Sequence, residues 1–256
     1  MTDLAVIDTG DSDRPAIVWL GSLGSSTAMW DRQVAVFATT HRCVLIDHPG
    51  HGASPPSRGP QSIPGLAADV LAALDRVGVG RAHFVGLSLG GIVSMSIAAT
   101  TPARVDRLAV LSTSARFDSP DPWLERAATV RASGTGAVAE TVVDRWLSPV
   151  YAVDHPDEVA AFVSMIGTTD AESYAGCCEA IAAADLRSAL PAIEADTLVV
   201  AGTLDPATPP AYGEIIAAGI SGSELALVEA AHLANWERAD EVNRLLAAHL
   251  RGRSDD

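Results

Sequence analysis

The sequence predicts an α/β fold, with a mostly parallel central sheet, helices on both faces and an inserted helical cap. Three observations predict it. Short β-branched or Leu-rich runs alternate with stretches whose apolar residues recur at three and four positions. Most of the short runs lack apolar/polar alternation, the pattern of strands buried on both faces. The alternation then stops between about Asp118 and Leu190, where only helical patterning appears.

In chain order, strands are expected at 4–7, 16–20, 42–46, 82–85, 107–111, 197–201 and 224–228. Ala16 to Leu20 is unbroken Ala-Ile-Val-Trp-Leu, and Thr197 to Ala201 is similarly apolar. Helices are expected between them at 27–37, 63–77, 91–99, 212–218 and 240–250, each with an apolar stripe. Inside the long interruption, helical patterning covers 123–132, 137–146, 156–166 and 174–183, punctuated by prolines at 120, 122, 149, 156 and 191. The expected division is therefore a core of residues 1–117 and 191–256, with residues 118–190 as a helical cap. The polar tail 251–256 is expected to fray.

Composition narrows the function classes. A chain of 256 residues suits one hydrophobic core. Apolar residues at 48% and charged residues at 19% exclude a disordered chain. No apolar run approaches the roughly 18 residues of a membrane span. The start Met1-Thr2-Asp3 has neither a basic n-region nor an apolar h-region, so a cytoplasmic protein is expected. Net charge is −15, and all 17 basic residues are Arg. Such a surface repels nucleic acid and anionic lipid, so neither is an expected partner. The absence of Lys excludes a Schiff base or a phosphate-binding Lys. Cys43, Cys177 and Cys178 are odd in number and lack C-x-x-C spacing, which points to free, packed thiols.

The sharpest chemical signal is Gly86-Leu87-Ser88-Leu89-Gly90, followed by Gly91. It follows a predicted strand and opens a predicted helix. A nucleophile on a sharp strand-to-helix turn needs small neighbours, because the backbone there is strained and closely packed. The helix N-terminus then presents N–H groups to a developing oxyanion. A serine hydroxyl also needs a base, and the base an orienting acid. Asp205 follows the strand at 197–201, and His232 follows the strand at 224–228. Both therefore sit at carboxyl ends of strands, where ligand sites gather in such sheets. Taken alone, Asp205 reads as a turn residue and His232 as a helix cap or packed imidazole. Of seven histidines, only His232 follows Ser88 in the order Ser, Asp, His and sits at a strand end.

Two backbone N–H groups are candidates for an oxyanion hole: Leu89, beside the nucleophile, and Leu23, in the small-residue loop Gly21-Ser22-Leu23-Gly24-Ser25. The stretch Asp47-His48-Pro49-Gly50-His51-Gly52-Ala53-Ser54 offers two imidazoles and a carboxylate to a metal. A catalytic metal usually needs three well-placed protein ligands. The Pro and Gly content favours a tight loop shaping the rim of the site, and no metal or organic cofactor is expected.

These segments together resemble the α/β-hydrolases that carry a helical cap, over nearly the whole chain. A narrower resemblance is to the 3-oxoadipate enol-lactonases. It rests on Ser22-Leu23-Gly24 with Met29-Trp30-Asp31 and Gln33, on Arg145-Trp146, on Tyr174 to Ile181 and Ala184 to Arg187, and on Ala201 to Pro210. The resemblance implies a serine hydrolase that opens an enol-lactone ring to 3-oxoadipate in the β-ketoadipate route of aromatic catabolism. It also implies a small lactone as the partner. Arg145 or Trp146 would hold the substrate carboxylate, with Arg suited to paired contacts. A solvated helix face is the plain alternative for Arg145, and cap packing for Trp146. Two departures stand out: the early hairpin is shortened, and Gly21 replaces a polar residue common in that loop. A carboxylesterase, a C–C bond hydrolase of the same fold and a non-catalytic binding protein remain open alternatives at this point.

Overall fold

Among the described residues, seven strands form one sheet in the order β1-β3-β2-β4-β5-β6-β7. They are β1 (Val6–Thr9), β2 (Ala16–Leu20), β3 (Arg42–Ile46), β4 (Ala82–Leu87), β5 (Val105–Leu111), β6 (Asp196–Gly202) and β7 (Glu224–Val228). The computed structural model describes residues 2–57 and 59–251. The polar tail expected to fray lies outside the described residues except for its first member. Every strand pair is parallel except β1 with β3. β4 is buried at all six positions and β2 at four of five. That explains why their sequences show apolar runs without alternation. The edge strand β7 differs, with Leu227 52% exposed.

Topology brings two loops together. The chain leaves β2 for β3 on one side of it, then returns to place β4 on its other side. β2 and β4 are therefore neighbours whose connections part in opposite directions, the crevice where ligands bind in open parallel sheets. Leu20, the last residue of β2, pairs with Gly86 near the end of β4. The small-residue loop and the Ser88 turn thus start side by side.

Helices α1 (Asp31–Phe37), α2 (Ile63–Arg76) and α3 (Leu89–Thr100) follow β2, β3 and β4. Ser62 caps α2 by accepting the Gly65 N–H. α3 starts two residues earlier than its apolar pattern predicts, because its first turn grows directly out of the tight turn at Ser88. β1 lies two residues later than expected, and its burial is only partial, so hydrophobicity marks it poorly. Trp19 on β2 packs against Trp30 and Phe37 at 5.0 and 5.7 Å between ring centroids, which seats α1 on the sheet.

Between β5 and β6 the chain forms five α-helices: α4 (Asp121–Ser133), α5 (Gly136–Trp146), α6 (Pro149–Asp154), α7 (Pro156–Gly167) and α8 (Ala171–Ala182). Four of these match expected segments. α6 has only six residues between two prolines, too few to show a helical period. α4 packs on α8, and α5 on α7. After β6 come α9 (Pro210–Gly219), α10 (Ala234–Glu237) and α11 (Ala239–Leu250).

A polar cluster clamps the inserted helices to the rest of the chain. Arg32 on α1 donates to the Tyr151 hydroxyl (3.1 Å), to Glu158 (2.7 Å) and to the Trp236 carbonyl (2.6 Å). Glu158 also accepts from the Tyr151 hydroxyl at 2.7 Å and from the Trp236 indole. The guanidinium lies 4.3 Å from the centre of the Trp236 ring. Burial pushes the Glu158 carboxyl up. The bonds from Tyr151 and Trp236 and the charge of Arg32 outweigh it, holding the carboxyl below its ordinary value.

A carboxylate depressed in the folded state stabilises the fold above its unfolded pKa and ceases to as pH falls through the folded one. Glu158→Gln should therefore cost about 1.5–3 kcal/mol near neutrality, the range for hydrogen bonds to a charged group. Urea denaturation of both proteins at pH 7 and at acid pH checks this, with the difference shrinking as Glu158 becomes protonated.

Candidate active site

Ser88 occupies the turn between β4 and α3 with φ +55°, a left-handed backbone that non-glycine residues adopt at a cost. The surrounding chain holds it there. Its N–H donates to the Leu111 carbonyl at the end of β5 (3.0 Å). Its carbonyl accepts from the Thr113 hydroxyl (2.7 Å) and the Ile92 N–H (3.0 Å). Glycine at 86 and 90 is a packing requirement. A Cβ on Gly86 would lie 2.3 Å from the Gly90 carbonyl oxygen, and one on Gly90 would lie 2.1 Å from the Leu20 carbonyl oxygen. Leu89 is the first residue of α3, so its N–H has no intrahelical acceptor.

Asp205 and His232 meet at the ends of β6 and β7. His232 Nδ1 lies 2.7 Å from Asp205 Oδ2, and both side chains are almost fully buried. The other Asp205 oxygen accepts the N–H groups of Ala207 (2.8 Å) and Thr208 (3.0 Å). The Thr208 hydroxyl donates to Oδ2 at 2.6 Å. Burial pushes the Asp205 carboxyl up. The charge and hydrogen bond of His232 and the bonds from Thr208 more than offset this, so the group stays ionised more readily than a free carboxyl. Gly202 permits the approach of the two loops, since a Cβ there would lie 2.5 Å from the Ala230 and Ala231 carbonyl oxygens.

Ser88 and His232 open onto one cavity of about 300 Å³. Ser22 and Leu23 line it from the loop after β2. Phe117, Trp123 and Tyr212 give it aromatic walls, and Asp118 on its wall accepts from the Tyr212 hydroxyl at 3.1 Å. Arg126, Arg145 and Trp146 complete the inserted-helix side. Arg126 lies over the Trp123 ring at 4.7 Å. Among the described residues, neither Arg126 nor Arg145 takes part in an ion pair.

The structure thus brings Ser88, His232, Leu23, Arg145 and Trp146 to one cavity, with Asp205 directly behind His232. Leu89 adjoins Ser88 at the head of α3. Trp146 is buried, and its carbonyl accepts the N–H of Leu233, the residue after His232, at 2.9 Å. Arg145 is exposed at the cavity wall. Arg126 is a wall residue that the sequence motifs do not single out. The available signal was its spacing of three from Trp123, which puts both on one helix face.

The 47–54 loop corrects an expectation. Among the described residues, none of its members lines the cavity. Asp47 instead accepts the N–H groups of Thr27 (2.7 Å) and Ala53 (2.9 Å), bracing the loop after β2 from behind. Among the described residues, no cluster of three metal-ligating side chains occurs. Pro49 borders a separate surface pocket of about 630 Å³ beside α2, which contains none of Ser88, Asp205 and His232. Cys43, Cys177 and Cys178 are buried free thiols. Burial pushes the Cys178 thiol up to about 12, away from nucleophilic use.

A family model for the alpha/beta hydrolase fold matches residues 15–239. The chain belongs to this alpha/beta hydrolase family. This hydrolase is 36% identical to 3-oxoadipate enol-lactonase 2 of Acinetobacter baylyi over 94% of its own length and 91% of that protein. The crystal structure of the enol-lactonase from Burkholderia xenovorans matches it with a TM-score of 0.95 at 38% identity. That match covers 97% of this chain and 96% of the other. A protein of Azorhizobium caulinodans named for carbamate hydrolysis is 30% identical, over 90% of this chain and 89% of its own. No helix among the described residues of the hydrolase is long and apolar enough to cross a membrane.

The glycine contacts make a direct test. Gly90→Ala should destabilise the hydrolase by about 1–3 kcal/mol or more, the cost of overpacking against an unyielding backbone. Thermal and urea denaturation measure it. A variant as stable as wild type would show that the contact with the Leu20 carbonyl relaxes freely.

Proposed function

We propose that this hydrolase opens the ring of 3-oxoadipate enol-lactone to 3-oxoadipate through a Ser88-His232-Asp205 triad. The observation that carries the reading is the single cavity that receives both Ser88 and His232, with His232 held by a buried Asp205. The enol-lactonase relatives support the choice of substrate. In the proposed reaction Ser88 Oγ attacks the lactone carbonyl while His232 takes its proton. The Leu23 and Leu89 N–H groups stabilise the tetrahedral oxyanion. The ring C–O bond breaks, the leaving enolate oxygen takes the proton from His232, and the enol tautomerises to a ketone. Water then attacks the acyl-Ser88 ester, its proton passing through His232 to Ser88, and the diacid leaves.

Residues 118–190 act as a cap in this reading. The substrate bears a carboxylate, and the protein's net charge of −15 opposes its approach. Arg126 and Arg145, both without an ionic partner among the described residues, supply the local positive charge. Trp146 contributes an apolar wall and, through its carbonyl, a tie to the His232 loop. The aromatic side chains favour a flat, small ring, and a cavity of about 300 Å³ limits substrate size.

The decisive experiment follows loss of enol-lactone generated in situ, beside p-nitrophenyl acetate and a simple carbamate, with wild type and Ser88→Ala. Rapid lactone loss only in wild type is expected. Turnover of ester or carbamate without lactone would keep the triad and overturn the substrate. Asp205→Asn should lower kcat by roughly 10⁴ with its fold intact, because His232 loses its orienting partner. Arg126→Ala should raise KM for the anionic lactone and leave KM for the neutral ester unchanged. Equal effects on both substrates would remove Arg126 from carboxylate binding.

A further inference from the structure

Two side chains outside the proposed chemistry grip the loop that carries Leu23. His48 follows β3, and its Nε2 lies 3.1 Å from the Gly21 carbonyl oxygen. A carbonyl only accepts, so Nε2 carries the proton and donates. The same oxygen accepts the Gly90 N–H at 3.0 Å. It is therefore tied both to the turn after β3 and to the first turn of α3. One residue further, the Ser22 carbonyl accepts the Ser25 hydroxyl at 2.8 Å and the Ser25 N–H at 3.1 Å. The Ser22 N–H faces Met29 Sδ at 3.3 Å.

These contacts set a direction. The described peptide bonds are trans, and a trans peptide points its C=O and N–H to opposite sides. Drawing the Ser22 carbonyl toward Ser25 therefore turns the Leu23 N–H the other way. Ser22 and Leu23 both line the cavity beside Ser88. Gly21 has no side chain with which to anchor the loop. The space its Cβ would need is filled, with Ser25 Oγ 2.5 Å and Met29 Sδ 2.9 Å from that point. His48 suits a permanent anchor. Burial, reinforced by neighbouring His51, holds its pKa down to about 3, so the imidazole stays neutral through the working range.

We propose that His48 and Ser25 are positioning residues that aim the Leu23 N–H at the developing oxyanion, acting through the carbonyls of Gly21 and Ser22. The inference rests on the serine hydrolase reading above and adds the means by which half of the oxyanion hole is set. A donor that serves only the transition state affects kcat and leaves substrate binding alone.

The test compares wild type, His48→Leu, His48→Gln and Ser25→Ala on the lactone and on p-nitrophenyl acetate. It also measures inhibition by phenylboronic acid, whose tetrahedral adduct with Ser88 places an oxygen in the same hole. Losing one oxyanion donor costs about 10²–10³ in kcat; a misaimed donor in His48→Leu should cost roughly tenfold, with KM nearly constant. Boronate affinity should fall by the same factor. His48→Gln keeps an amide donor near the Nε2 position and should restore most of the loss. Ser25→Ala, which retains the Ser25 N–H bond, should show the same pattern at smaller size, and it carries the test if His48→Leu does not fold. Unchanged kcat and boronate affinity in the folded variants would overturn the inference. So would a loss that His48→Gln does not restore, or one that appears in melting temperature and KM alone. If wild type turns over none of the substrates, the hydrolase reading fails, and this inference fails with it. Wild-type turnover with indifferent variants overturns the inference alone.

Discussion

The close approach of the Ser88 turn to the end of β2 is the constraint on which the site depends. Gly86 and Gly90 touch each other, and Gly90 touches the Leu20 carbonyl, at distances that leave no room for a Cβ. That contact lets Ser88 keep its left-handed backbone. It also brings the first turn of α3 to the loop after β2, where the Gly90 N–H meets the Gly21 carbonyl. Both proposed oxyanion donors, Leu23 and Leu89, hang on this junction. The sheet order supplies the geometry, since β2 and β4 are neighbours whose connections part at that point.

Electrostatics divides the molecule into two regimes. Its surface carries strong negative charge, while the cavity exposes two arginines without ionic partners among the described residues. Inside, the buried Asp205 is held ionised by four donors: His232, the Thr208 hydroxyl, and the N–H groups of Ala207 and Thr208. A buried carboxylate without them would favour its neutral form and could not orient an imidazole. His48 represents the opposite case, an imidazole kept neutral by burial and used as a fixed donor.

The inserted helices do more than line the cavity. Trp146 lines it and accepts the Leu233 N–H with its carbonyl, one residue from His232. Phe162 stands between Trp146 and Trp236, at 5.7 and 5.1 Å between centroids, and Trp236 belongs to the Arg32 and Glu158 cluster. An aromatic and polar path therefore joins the inserted helices to the loop bearing His232.

The sequence by itself determined the sheet, the Ser88 turn and the order of Ser88, Asp205 and His232. These are local properties: apolar runs, glycine spacing, and polar residues at strand ends are read from neighbours along the chain. Only the tertiary structure decided the rest. β1 runs antiparallel on a half-exposed edge, where hydrophobicity says little about direction. Arg126 reads as an ordinary helical arginine until α4, packed on α8 and α5, brings it to the cavity wall. The 47–54 loop reads as a rim until Asp47 and His48 are seen bonding the loop after β2, 20 and 27 residues away in sequence. Arg32 and Glu158 are 126 residues apart. Contacts at such separations arise from how elements pack, and composition and periodicity along the chain carry no record of that packing.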